Sequence, residues 1–174
     1  MVAVVVVLAA TVSAFAFDFT ENFDDPAPNV AQSTGEFVPQ DGNSGGIVTL
    51  RHVAGDCVAI SDTEIAVRAE CAAGTRRGRI VNLPAGSGNA IRQSDGQIEG
   101  DDIFDERSLN SVDNEVDGVG DGGALLQGGQ YTAGDVILFR IPESDCELAQ
   151  GSEVSVRVVH TPSQAVIIDK DLTA

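Results

Sequence analysis

The sequence predicts a mostly β protein, an Ig-like β-sandwich head preceded by a single apolar N-terminal α-helix. Three observations carry that expectation. Met1 to Phe17 contains no charged residue, no Gly and no Pro, and every Asp, Glu, Lys and Arg lies from Asp18 onwards. The remainder carries all 19 Gly, with short Val- and Ile-rich runs between Gly, Asp, Asn and Ser clusters. No segment sustains a helical 3.6-residue periodicity, and strands of this spacing build sandwiches or barrels. At 174 residues the chain has room for one ordinary domain and a short appendage.

The elements follow in order. Residues 1–22 are assigned to the helix, with MVAVVVVLAATVSAFAF at its start. An apolar run of 17 residues is too long for a strand, and as a helix it spans about 25 Å, slightly short of a hydrocarbon core of about 30 Å. Apolar all round, it must be buried in lipid or among copies of itself. The residues expected to pack between subunits are Val2, Ala3, Val5, Val6, Leu8, Ala9, Ala10, Val12, Ser13, Phe15 and Phe17. A secretory signal peptide is a competing reading. Ala14-Phe15-Ala16 resembles a small-x-small cleavage site, but no positively charged segment precedes it. Residues 23–35, with Pro26 and Pro28, read as a linker. The head is placed at 36–174, with strands over Ile47–Val53, Cys57–Ile60, Ile65–Ala69, Arg79–Leu83, Val136–Ile141, Val154–Val159 and Ala165–Asp169. Thr161-Pro162-Ser163-Gln164 is a turn joining the last two into a hairpin. Gly86 to Gly129 reads as long, exposed surface loops around one or two weak strands.

Charge narrows the function classes. There are 17 Asp and 10 Glu against nine Arg and a single Lys, Lys170, giving a net charge of −17. Composition offers no basic patch for phosphates or anionic lipid. Abundant Asp with almost no Lys is the surface expected of a protein working in concentrated salt, where screening removes most self-repulsion.

Little in the chain points to chemistry. Asp113, Glu115, Asp117 and Asp121 occupy positions 1, 3, 5 and 9 of a calcium loop with Gly118 at 6, but Ala124 stands where a bidentate Glu is needed. His52 and His160 with Cys57, Cys71 and Cys146 lack the spacing of a copper or zinc site and are expected near strand ends, their rings in hydrogen bonds. Gly86-Ser87-Gly88 is neither a nucleophile elbow nor a phosphate loop. Neither an enzyme nor a cofactor is expected. The three Cys allow three intrachain pairings. Cys57–Cys71, closing a hairpin-sized loop, is favoured over a bridge to Cys146, and burial of all three as free thiols is the alternative.

The chain resembles the type IV pilins of haloarchaea. The resemblance rests on Met1-Val2-Ala3-Val4-Val5-Val6-Val7-Leu8-Ala9-Ala10-Thr11-Val12-Ser13-Ala14-Phe15, which is similar to the second half of that family's N-terminal segment. Two stretches of the head add to it, Val48-Thr49-Leu50-Arg51-His52-Val53-Ala54-Gly55-Asp56 and Val156-Arg157-Val158-Val159-His160-Thr161-Pro162-Ser163, together about a fifth of that domain. Family precursors carry a charged leader and a cleavage site, which would fall upstream of Met1. The resemblance implies a structural subunit of an extracellular pilus. It would be held in the membrane before assembly, then polymerised through its N-terminal helix by the pilus machinery, with a role in adhesion or biofilm formation. The archaellum filament and a membrane-anchored or secreted β-sandwich binding module are the alternatives.

Overall fold

A computed structural model describes residues 26–40, 45–110, 123–127 and 129–174. In chain order the described elements are β1 (Gln32–Pro39), β2 (Gly46–Ala54), β3 (Val58–Ala59), β4 (Thr63–Cys71), β5 (Gly74–Ile80), β6 (Ile98–Gly100), α1 (Gly123–Gln127), β7 (Gln130–Tyr131), β8 (Val136–Ile141), β9 (Glu153–His160) and β10 (Ala165–Thr173). They form a three-stranded sheet β1-β2-β8, a five-stranded sheet β10-β9-β4-β5-β6 and a small ladder β3-β7, all antiparallel. Laid against the lettered strands of a variable-type immunoglobulin sandwich, this is the order A-B-E opposite G-F-C-C′-C″. Where strand D would lie, Asp105 N–H donates to Arg140 O on the edge of β8 at 3.0 Å.

Alternation builds the layers. In β4, Thr63, Ile65, Val67, Ala69 and Cys71 are buried, while the residues between them face outwards. Val154, Val156 and Val158 do the same in β9. These meet Val48 and Leu50 of β2 and Ile137, Phe139 and Ile141 of β8 in one shared core. All six residues of β8 are buried, because α1 packs against it and Ile47, Val136 and Leu138 form a second small cluster. Gly46 is required opposite this core, since a Cβ there would overlap the ring of Phe37.

The expected fold class needs correction. The described chain is all-β apart from short helical turns, and its longest helix, α1, has five residues. Among the described residues, the expected helix-plus-sandwich architecture gives way to β-sandwich-like sheets. Residues 1–22, which the sequence reading assigns to the helix, lie outside the described residues.

Smaller corrections concern boundaries. The linker at 23–35 ends early, because β1 starts at Gln32 and Val30 already packs against the core. The strand expected at Arg79–Leu83 is β5, which runs from Gly74 to Ile80 and stops there. Among the described residues after Gly86, Ala90, Ile91, Ile98, Ile103, Phe104, Leu109 and Leu125 are buried, so the exposed loops expected there also contribute to the core.

Candidate functional site

The outward face of the five-stranded sheet holds a hollow of about 430 Å³. Its floor is Ala66 in β4, and Arg68, Arg77, Arg79 and Arg157 stand around it. Strand register explains the gathering. Ala66 pairs with Arg79 on β5 and with Arg157 on β9. Arg68, two residues on, pairs with Arg77 and with Ser155. Period-two alternation puts all of these on one face, and the short Ala66 leaves space between two long cationic arms.

Acids ring the cluster. Arg79 pairs with Glu64 at 3.3 Å and with Glu99. Its hydrogen bond to Glu99, then the Glu64 charge, push the guanidinium above its ordinary value. Arg157 donates to Asp169 at 3.2 Å, and Arg68 to Glu70 at 3.1 Å. Arg77 has no side-chain partner among the described residues, although its backbone N–H donates to Asp101 at 2.8 Å. The side chains of Arg68, Arg79 and Arg157 are 40%, 48% and 58% exposed. Ion pairs that open to water are worth about 0–1 kcal/mol, so an incoming anion can displace the resident carboxylates. Composition alone offered no basic patch; the fold assembles one from arginines dispersed in sequence, within an acidic border.

The sites expected from sequence fare differently. Val2, Ala3, Val5, Val6, Leu8, Ala9, Ala10, Val12, Ser13, Phe15 and Phe17 lie outside the described residues, as do Asp113, Glu115, Asp117 and Asp121. Among the described residues no group of three or more His, Cys, Asp or Glu could hold a metal ion.

The disulfide expectation is overturned. Cys71 bonds to Cys146, with their Cα atoms 5.1 Å apart, and Cys57 is a free, exposed thiol. Cys57 precedes β3 near the start of β4, whereas Cys71 ends it. Nine residues of strand carry the chain about 26 Å between those ends. Cys146 follows β8 at the far end, where Ala72 N–H also donates to Glu147 O at 2.8 Å.

Both histidines make the expected hydrogen bonds. His52 Nδ1 lies 3.3 Å from Tyr131 O, in a fully buried position inside β2. His160, at the end of β9, places Nδ1 2.7 Å from Ser163 Oγ. Sequence reasoning missed the arginine hollow. The signal was present as alternate arginines in Arg77-Gly78-Arg79, but only pairing with β4 and β9 reveals their neighbours.

Comparison with known families and with curated proteins finds no match. No helix among the described residues is long and apolar enough to cross a membrane.

Proposed function

We propose that this chain is a structural subunit of an extracellular filament of the kind built from archaeal type IV pilins. The observation that supports it best is the division of the chain into two materials. Met1–Phe17 carries no charge, whereas the sequence from Asp18 on carries the entire net charge of −17 and includes the β-sandwich-like head. An uncharged segment of that length demands an apolar surrounding, and an acidic head demands water. A polymer with the segments inside and the heads outside satisfies both.

Assembly exchanges lipid for neighbouring segments. The hydrophobic contribution nearly cancels in that exchange, and close packing decides the register. Ala3, Ala9, Ala10, Ser13, Ala14 and Ala16 are small enough to permit close approach. Head-to-tail addition of this kind gives an open helical array instead of a closed ring. The partners are copies of the same chain, the membrane before assembly and the assembly machinery; adhesion is the role, in concentrated salt. An archaellum subunit would share this architecture. The arginine-lined hollow favours a second reading, a membrane-anchored or secreted binding module.

Shearing cells that carry the gene and imaging the released fraction by electron cryo-microscopy tests the proposal. Thin filaments that contain this chain with Met1–Phe17 retained are expected. Recovery of the chain only as single copies, in the membrane fraction or as a monomer starting near Phe17, would overturn it.

A further inference from the structure

The molecule offers several features that the filament reading does not absorb: the free Cys57, the buried His52 whose Nε2 has no partner among the described residues, the Asp105–Arg107–Arg140 cluster, and a buried amide oxygen on Gln97. Cys57 stands alone, His52 is closed to solvent, and the Asp105 cluster pairs within itself. Gln97 goes further, because its oxygen faces a space that a carboxylate also faces.

Gln97 is only 4% exposed. Its Nε2 donates to Pro84 O at 2.9 Å and to Asn82 O at 3.3 Å. Two carbonyl acceptors fix which end of the amide is nitrogen, so Oε1 is held pointing the other way. Oε1 is buried and has no hydrogen-bond partner among the described residues. It faces Gly86. A Cβ on Gly86 would stand 3.2 Å from Gln97 Oε1 and 3.4 Å from Asp95 Oδ2, with Gln97 Cδ next at 3.8 Å. The glycine thus leaves a cradle lined by two oxygens, one neutral and one ionised. Backbone bonds hold both walls. Gly86 N–H donates to Ala90 O at 3.0 Å, Asn89 N–H to Gly86 O at 3.1 Å, and Gln97 N–H to Arg92 O at 3.1 Å.

We infer that the cradle binds a single monovalent cation, potassium in preference to smaller ions. A buried acceptor left unpaired is costly, and amide and carboxylate oxygens are the ligands that hard cations take. One carboxylate supplies the negative charge, and Arg92 Nη1, 3.8 Å from Asp95 Oδ2, offsets part of it. That separation is too long for a hydrogen bond. Nη1 donates instead to Ser87 O at 2.5 Å, so the lone pairs of Oδ2 stay available. Calcium and magnesium need more charge and oxygens at about 2.0–2.6 Å. Two oxygens at 3.2 and 3.4 Å from the Gly86 Cβ position, with little net charge, suit a larger and singly charged ion. Gly86 and Asp95 are exposed, so the ion enters from solvent and keeps part of its water. Bound there, it ties the turn at Gly86–Ala90 to the turn at Arg92–Gln97 just before β6.

The test is thermal unfolding of the full-length chain in detergent, followed by circular dichroism at one fixed ionic strength while potassium replaces choline, a cation too bulky for the cradle. Constant ionic strength removes general screening as a cause. A saturable rise in melting temperature is expected, reaching about 2–4 °C when potassium is about fourfold above its dissociation constant. Gly86→Ala should abolish the rise. Its methyl fills the cradle, the Gly86 φ lies outside the left-handed region, and the net charge is unchanged, so diffuse attraction of cations to an acidic chain stays the same. Asp95→Asn, at an exposed position, should weaken potassium binding about tenfold or more. An equal response from Gly86→Ala and the unaltered chain, or no difference between potassium and choline, would overturn the inference and leave a bound water as the partner of Oε1. A response to calcium at lower concentration than to potassium, lost in the same two variants, would also overturn it. None of these readouts depends on filament formation.

Discussion

Asp105 and Asp102 lie three positions apart and are held in opposite electrostatic states. Burial pushes the Asp105 carboxyl up, but hydrogen bonds and charge from Arg107 and the charge of Arg140 outweigh it, so it sits below its ordinary value. Arg107 grips it with a fork, Nε at 2.9 Å and Nη2 at 2.7 Å, and the buried Arg140 donates at 3.3 Å. A depressed carboxyl stabilises the fold fully above its unfolded pKa of about 3.9, and that stability is lost as pH falls through the folded value. Asp105→Ala should therefore cost about 3 kcal/mol at neutral pH, with the difference from the unaltered chain shrinking below about pH 4. Urea unfolding at the two pH values checks it. Asp102 is shifted the other way, first by burial and then by the nearby Glu106 and Asp145 charges, and its Oδ1 has no hydrogen-bond partner. Ionised Asp102 works against folding at pH 7 and is relieved as pH falls. Asp102→Asn should raise the melting temperature at pH 7, an advantage that disappears in acid. A melting temperature unchanged or lowered at pH 7 would contradict this.

Elements differ in how openly they announce themselves. β4 and β9 were legible because their buried residues alternate without interruption. β8 was legible as a continuous apolar run, buried on both faces. β1 was not, because QSTGEFVP buries only Phe37 fully and contains Gly35. That Gly exists for a tertiary reason, since a Cβ there would press on Leu172 and Lys170 of β10 at 3.0 and 3.1 Å. β5 was displaced in the sequence reading because its arginines resemble a solvated turn until β4 and β6 are set beside them. The disulfide links the end of β4 to the connection after β8, with 75 positions between its cysteines. Closing a loop of that size stabilises by about 4–5 kcal/mol through the lost entropy of the unfolded chain. Thermal unfolding of Cys71→Ser with Cys146→Ser should show a loss of that order, while Cys57→Ser should change stability by less than about 0.5 kcal/mol.

At the scale of the whole molecule, charge dominates. A net charge of −17 on 174 residues destabilises any compact state in dilute buffer through self-repulsion. The melting temperature should rise steadily as KCl increases from about 0.1 M to about 2 M, tracking a Debye length that falls from about 10 Å to below 3 Å. A flat or falling curve in circular dichroism would remove the high-salt reading. The same charge protects the sheet edges. Asp169 and Asp171 lie on the edge strand β10, and Glu99 on the edge strand β6. Two copies meeting edge to edge there would oppose carboxylates, which disfavours uncontrolled strand pairing.

The sequence by itself determined the properties that depend on local order along the chain. These are the segregation of apolar from acidic residues, the β character of the head, and the closing hairpin with its turn at Thr161–Gln164. Such features follow from periodicity and composition, which act over a few residues. Only the tertiary structure decided which distant residues meet. It paired Cys71 with Cys146, buried Ile91, Ile103, Phe104 and Leu109 of the connection after Gly86 and brought Arg68, Arg77, Arg79 and Arg157 around Ala66. Strand order and register control those encounters. They are set by the fit of two sheet faces around a common core, a condition on the whole chain that no single segment expresses.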